Sequence, residues 1–164
     1  MHGRIATLMI HSSPLDQPGI GDAGGMNIYV AENAKRMAAM GVRVDIFTRR
    51  NHKDLPDVVD FAPGVTVRHL DGGPIEGVTK EILPGYIEKL AEEFTKAVQA
   101  KRLYDVIHSH YWISGKIGIP ASEKLHITLI HTMHTMAKGK NLNLAEEESP
   151  EPALRVIGET EVTA

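Results

Sequence analysis

The chain has 164 residues, 42% hydrophobic and 24% charged, which gives one domain enough apolar material for a core and excludes disorder. A formal net charge of −3 excludes a basic nucleic-acid footprint, and the absence of cysteine excludes a disulfide scaffold, a thiolate metal site and a thiol nucleophile. No apolar run approaches the roughly 20 residues needed to cross a bilayer, and Ile5 to Ile10 is too short for a signal-peptide core. The expectation is a soluble cytoplasmic protein without nucleic-acid partner or membrane insertion.

Ile5-Ala6-Thr7-Leu8-Met9-Ile10 reads as a strand buried on both faces. A loop rich in glycine and proline follows, from Ser12 to Gly25. Asn27 to Met40 carries Ile28, Ala31, Ala34, Met37 and Ala38 at helical spacing, and Gly41 stands where a left-handed residue commonly ends a helix. Val42 to Thr48 predicts a second strand, and Arg49 to Gly64 a surface connection. Val65 to Leu70 alternates apolar and polar residues, as a strand nearer an edge does.

An amphipathic helix is expected from Lys80 or Leu83 to about Ala100, with Leu83, Ile87, Leu90, Phe94 and Val98 on one side. Tyr104 to His108 is the next strand. Ser114 to Leu125 reads as helical, with Pro120 removing one backbone hydrogen bond, and Ile127 to His131 as another strand. A polar segment follows. Ser149-Pro150-Glu151 resembles a helix start, with serine as cap and proline at the first position. Strands alternating with helices imply right-handed crossovers and a parallel sheet. The predicted fold is therefore an open α/β domain with a parallel sheet, cut short inside its last helix.

Gly19-Ile20-Gly21-Asp22-Ala23-Gly24 spells G-x-G-x-x-G, and Arg49 with Arg50 suggests a grip on a 2′-phosphate. The context is wrong for a dinucleotide. There the first glycine directly follows the strand, whereas here a spacer with Pro14 and Pro18 intervenes. A glycine loop opening a helix still favours an anion or sugar oxygens at the free N–H groups. His11, His108, His110, His131 and His134 fall at or just past strand ends, so a parallel sheet brings them to one edge. Zinc is the sharp alternative for them. His108 and His131 are expected to be inner residues bonded to backbone. Lys80, Tyr111, Thr135 and Arg155 supply a point charge, a planar fork and two hydroxyls suited to a phosphate, but spacing alone does not join them.

Several stretches in register carry a resemblance. His11-Ser12-Ser13-Pro14-Leu15, Gln17-Pro18-Gly19 and Gly21-Asp22-Ala23-Gly24-Gly25-Met26-Asn27-Ile28-Tyr29-Val30 resemble the opening of retaining GT-B glycosyltransferases of the glycogen-synthase-like family 4. His108-Ser109-His110-Tyr111-Trp112-Ile113-Ser114-Gly115 and His131-Thr132-Met133-His134-Thr135-Met136-Ala137-Lys138 narrow it, with Gly73-Pro74, Lys80-Glu81 and the tail from Pro150 through Glu161. Together these are similar to the branch that acts on inositol phosphate in mycothiol biosynthesis.

The resemblance implies that residues 1–164 form the N-terminal, acceptor-side domain of a GT-B enzyme, with the C-terminal nucleotide-sugar domain absent and no turnover by this piece alone. It implies transfer of N-acetylglucosamine from UDP-N-acetylglucosamine to 1D-myo-inositol 3-phosphate with retention. His11, the run Asp22, Ala23, Gly24, Gly25, Met26 and Asn27, then Lys80, Tyr111, Thr135 and Arg155 would hold the inositol phosphate. Gln17, Pro18 and Gly25 would touch the nucleotide sugar, and His134 would sit at the reacting centre as the catalytic residue. No metal and no cofactor for the chemistry is implied, only UDP-N-acetylglucosamine as donor substrate, and a homodimer is a family expectation. Catalysis would be positioning and charge stabilisation, without a protein nucleophile. A related family 4 enzyme with another acceptor such as a sugar phosphate, and a non-catalytic phosphate-binding module, are the alternatives.

Overall fold

The first apolar run becomes an inner strand because both of its faces are covered. In the computed structural model, which describes residues 3–164 apart from Asp22, Arg102 and Glu147, β1 (Arg4–Leu8) pairs in parallel with β2 (Arg43–Arg49) on one side. On its other side it pairs with β5 (Val106–His110), which in turn pairs with β6 (Thr128–Thr132). Beyond β2 lie β4 (Val65–Leu70) and then β3 (Val58–Ala62), giving the order β3-β4-β2-β1-β5-β6. Chain order reverses at β1, so the segments leaving β1 and β5 flank the crevice where open α/β sheets bind ligands.

Period-two alternation sorts the side chains onto two cores. On one face Ala6, Leu8, Phe47 and Ile107 pack with Leu90, Phe94 and Val98 of α2 (Ile87–Lys101) and Ile113 and Ile117 of α3 (Trp112–Leu125). The Phe47 and Phe94 rings meet edge to face at 5.1 Å. On the other, Val44, Ile46, Val65 and Val67 pack with Val30 and Ala34 of α1 (Gly25–Ala39).

The sheet is mixed rather than wholly parallel. Residues 58–62, within the expected surface connection, form β3, which pairs antiparallel with β4 through a turn where Gly64 takes φ +78°. Pro56 and Pro63 flank this segment, and its side chains are only partly covered, as suits an edge strand. β4 therefore lies one place in from the edge. Three boundaries also move. A 3₁₀ turn (Leu83–Tyr86) precedes α2, β5 runs to His110, and α3 starts at Trp112 and passes through Pro120. The polar segment contains a short helix, α4 (Ala137–Leu142). The last helix, α5 (Ala153–Thr163), starts after Pro152 rather than at Ser149.

Candidate active site

Residues 9–24 separate β1 from α1, and a buried amide holds them in place. Asn27 Oδ1 accepts from the Gly24 N–H (3.1 Å) and the Ser12 hydroxyl (3.3 Å), while its Nδ2 donates to the Ser13 carbonyl (2.6 Å). Thr48 Oγ1 adds a bond to the Ser12 carbonyl. Asn27 is 2% exposed, so its amide is engaged in shaping the loop. Of the rest of that run, Ala23 is buried, Gly24 and Met26 are half-buried, and Gly25 is exposed at the start of α1. Asp22 lies outside the described residues. The same separation rules out the dinucleotide geometry, since the first glycine of the G-x-G-x-x-G run is far from the end of β1.

The four residues that spacing could not join come together. Lys80, Tyr111 and Arg155 line one cavity of about 90 Å³, with Glu81 and Glu151 also in its wall. Thr135 completes the set by accepting from Arg155 Nη2 at its hydroxyl (2.9 Å) and its carbonyl (3.0 Å). The Tyr111 ring meets two partners, His11 at 4.3 Å and the Arg155 guanidinium at 4.9 Å. This ring position depends on an uncommon backbone. Tyr111 takes φ +72° at the β5–α3 junction, where its N–H still bonds the Thr132 carbonyl of β6.

Arg155 is already paired within the protein. Its Nε bonds Glu159 (2.7 Å) and its Nη1 meets Glu151 (2.9 Å), which also bonds Lys140. Burial alone would lower the Arg155 pKa, but these carboxylates and Tyr111 raise it. The second Glu159 oxygen accepts from the Ala137 N–H at the start of α4. Glu159 stands four residues after Arg155 on α5, which puts it beside the guanidinium on one helical face, while Glu151 reaches it from the segment before Pro152.

The histidines divide into groups instead of forming one. His108 and His110 share a face of β5 with ring centroids 4.1 Å apart, and His110 Nδ1 lies 3.0 Å from His134 Nε2. Tyr29 meets both His110 and His134 edge on, at 6.0 and 5.2 Å. His131 pairs in register with Ser109 and bonds its hydroxyl (2.7 Å), which places it on the opposite face, while His11 joins Tyr111. His108 bonds the Thr132 hydroxyl (2.9 Å), so these two inner histidines have side-chain partners where backbone ones were expected. Among the described residues no three metal-ligating side chains are grouped to hold an ion, and no helix is long and apolar enough to cross a membrane.

Of the residues expected to touch the nucleotide sugar, Gln17 lines a larger cavity of about 380 Å³, shared with His11, Ala23 and Arg49. Pro18 and Gly25 are exposed and line neither cavity.

A phosphate-sized cluster of cations and hydroxyls at the switch point of a mostly parallel sheet is the arrangement of a Rossmann-like ligand-binding domain. The glycosyl transferase 4-like domain family matches residues 24–163, and the chain belongs to that family. It is 53% identical to the D-inositol 3-phosphate glycosyltransferase of Thermobispora bispora, over 97% of this chain and 38% of that protein. It is 54% identical to the one from Streptosporangium roseum, over 97% of this chain and 37% of that protein. The chain thus spans little more than a third of the length of these curated relatives. Among solved structures, sucrose-phosphate synthase from Thermosynechococcus elongatus superposes with a TM-score of 0.88 at 32% identity, covering 98% of this chain and 40% of that one.

Proposed function

We propose that the chain forms the acceptor-binding part of a retaining glycosyltransferase that moves N-acetylglucosamine from UDP-N-acetylglucosamine to 1D-myo-inositol 3-phosphate. The observation that carries the reading is the meeting of Lys80, Tyr111 and Arg155 in one cavity, with Thr135 bonded to Arg155. These side chains lie far apart in sequence and supply the charge and hydroxyl donors a phosphate monoester needs. The relatives from T. bispora and S. roseum, named for that acceptor, support the same choice.

In the proposed reaction the bond from the sugar C1 to the diphosphate breaks, and an inositol oxygen bonds C1 on the same face. The proton of that hydroxyl passes to the departing diphosphate. The residues of this chain hold the acceptor by its phosphate and aim its hydroxyl, which is catalysis by positioning. His134 touches the donor sugar. Gln17, Pro18 and Gly25 face the nucleotide sugar, and both substrates are small molecules in keeping with a cytoplasmic enzyme.

A sugar phosphate as acceptor is the second reading, favoured by the superposition on sucrose-phosphate synthase. Calorimetric titration with inositol 3-phosphate, inositol and a hexose phosphate separates them. The expected result is preference for inositol 3-phosphate, lost in Lys80→Ala and in Arg155→Ala. Equal binding of inositol and its phosphate would overturn the acceptor assignment, and preference for the hexose phosphate would select the second reading.

A further inference from the structure

Charge pairing separates one arginine from the other well-covered ones. Arg4 and Arg68 share Asp45, Arg50 holds Asp57 and Asp71, and Arg155 holds Glu151 and Glu159. Arg49, at the end of β2, is 8% exposed, and among the described residues no carboxylate pairs with it. Among the described residues its bonds all leave from Nη1, to the carbonyls of Arg50 (3.1 Å), Pro74 (3.0 Å) and Ile75 (3.2 Å). Nε and Nη2 keep their hydrogens for another partner. Asp16, in the same cavity wall, uses its carboxylate to accept from the Ser13 N–H instead.

A buried cation without a counter-ion is costly, and three carbonyl dipoles compensate it only in part. Burial accordingly lowers the Arg49 pKa, with no carboxylate opposing it. The side chain lines the cavity of about 380 Å³ that it shares with His11, Ser12 and Gln17, a volume within the usual range for a small ligand. The carbonyl bonds alone would describe a strap that ties residues 74–75 to the sheet. A strap needs donors but no charge, and a neutral amide meets that need without the desolvation cost of a guanidinium.

We infer that Arg49 forms a second oxyanion subsite, separate from the Lys80–Arg155 cavity, which receives a phosphate or diphosphate group of a bound substrate. The donor's diphosphate and the acceptor's phosphate share this chemistry. The inference rests on the function proposed above only for the choice of these two ligands.

The test is calorimetry of the wild-type chain, Arg49→Gln and Arg49→Lys with UDP-N-acetylglucosamine and with inositol 3-phosphate, at low and high salt. Arg49→Gln keeps an amide donor for the carbonyls and removes the charge. It is expected to weaken one of the two ligands by about tenfold or more and to flatten that ligand's salt dependence, with the affected ligand naming the source. Arg49→Lys is expected to retain the salt dependence, and it decides alone if Arg49→Gln does not fold. Unchanged affinity for both ligands in Arg49→Gln, weakening with an unaltered salt dependence, a salt dependence lost in Arg49→Lys, or a wild-type chain that binds neither ligand overturns the inference. If Arg49→Gln alters binding while Lys80→Ala and Arg155→Ala do not, the subsite stands and the acceptor site proposed above fails.

Discussion

His110 Nδ1 lies 3.0 Å from His134 Nε2, a contact that one shared proton satisfies and that fails once both rings are charged. Burial first, then His108, His134 and His131, push the His110 pKa down to about 2, and burial lowers that of His134. The unfolded chain takes up these protons near the ordinary histidine value of about 6.5. Stability from these groups is therefore complete above that pH and is lost as the pH falls below it, by up to about 1.4 kcal/mol per pH unit for each histidine kept neutral. Urea unfolding from about pH 7 to about pH 5 is expected to show this slope, reduced by up to one proton in His110→Gln. An unchanged slope in the variant would refute the neutral pair.

In the proposed acceptor site, Glu151 would compete with the incoming phosphate for Arg155. It holds Nη1 at 2.9 Å and stands in the wall of the Lys80 cavity, with Lys140 on its other oxygen. Glu151→Gln removes the like charge that an incoming phosphate meets and frees Arg155 to turn toward it. Affinity for inositol 3-phosphate is expected to rise by about 1 kcal/mol, roughly fivefold. Weaker binding, measured by calorimetry, would show instead that Glu151 positions the guanidinium for its ligand.

Gly158 lets α5 lie against α3. A Cβ there would sit 2.2 Å from the Trp112 indole, which is itself buried. Alanine returns up to about 1 kcal/mol of helix propensity, but forcing the indole aside costs about 1–3 kcal/mol, so Gly158→Ala is expected to be destabilising. Arg155 lies one turn earlier on α5 and should lose phosphate affinity with it. Gly139→Ala is the control, because nothing lies within 4 Å of its Cβ position, and there the propensity gain should appear alone. Chemical denaturation of both variants checks the pair.

Much of this architecture is legible in the sequence because period and punctuation agree. The run from Ile5, the helical spacing from Ile28 to Ala38 and the stop at Gly41 each point to one element, and β1, α1 and β2 follow, although Ile28 itself is exposed and Val30 is buried with Ala31 and Ala34. β3 is not legible in the same way. Its five residues sit between prolines and expose part of each side chain, so the segment reads as connection until β4 is present to pair with it. At the site, chain order alone places the histidines at one sheet edge. Which face each one takes depends on the β5–β6 register, and that register sends His131 away from His108 and His110. Asn27 shows a different limit. A motif identifies the residue as important without saying whether it touches a ligand or shapes the loop that does.

Those two roles for Asn27 give different outcomes. Asn27→Ala leaves the Gly24 N–H, the Ser12 hydroxyl and the Ser13 carbonyl without their side-chain partner. Unsatisfied buried groups cost about 1–3 kcal/mol each before relaxation, and solvent entering the loop recovers part of this, so a net loss of roughly 2 kcal/mol is expected. If the amide is the clamp, hydrogen exchange should quicken through residues 10–24, and ligand affinity should fall together with protection. If the amide is only a ligand contact, affinity falls while protection of the loop stays as in the wild type. Asn27→Asp keeps the acceptor for Gly24 and Ser12 but removes the donor to Ser13, so it should lie between the two. The hydrogen bonds favour the clamp, and a protected loop in Asn27→Ala would reject it.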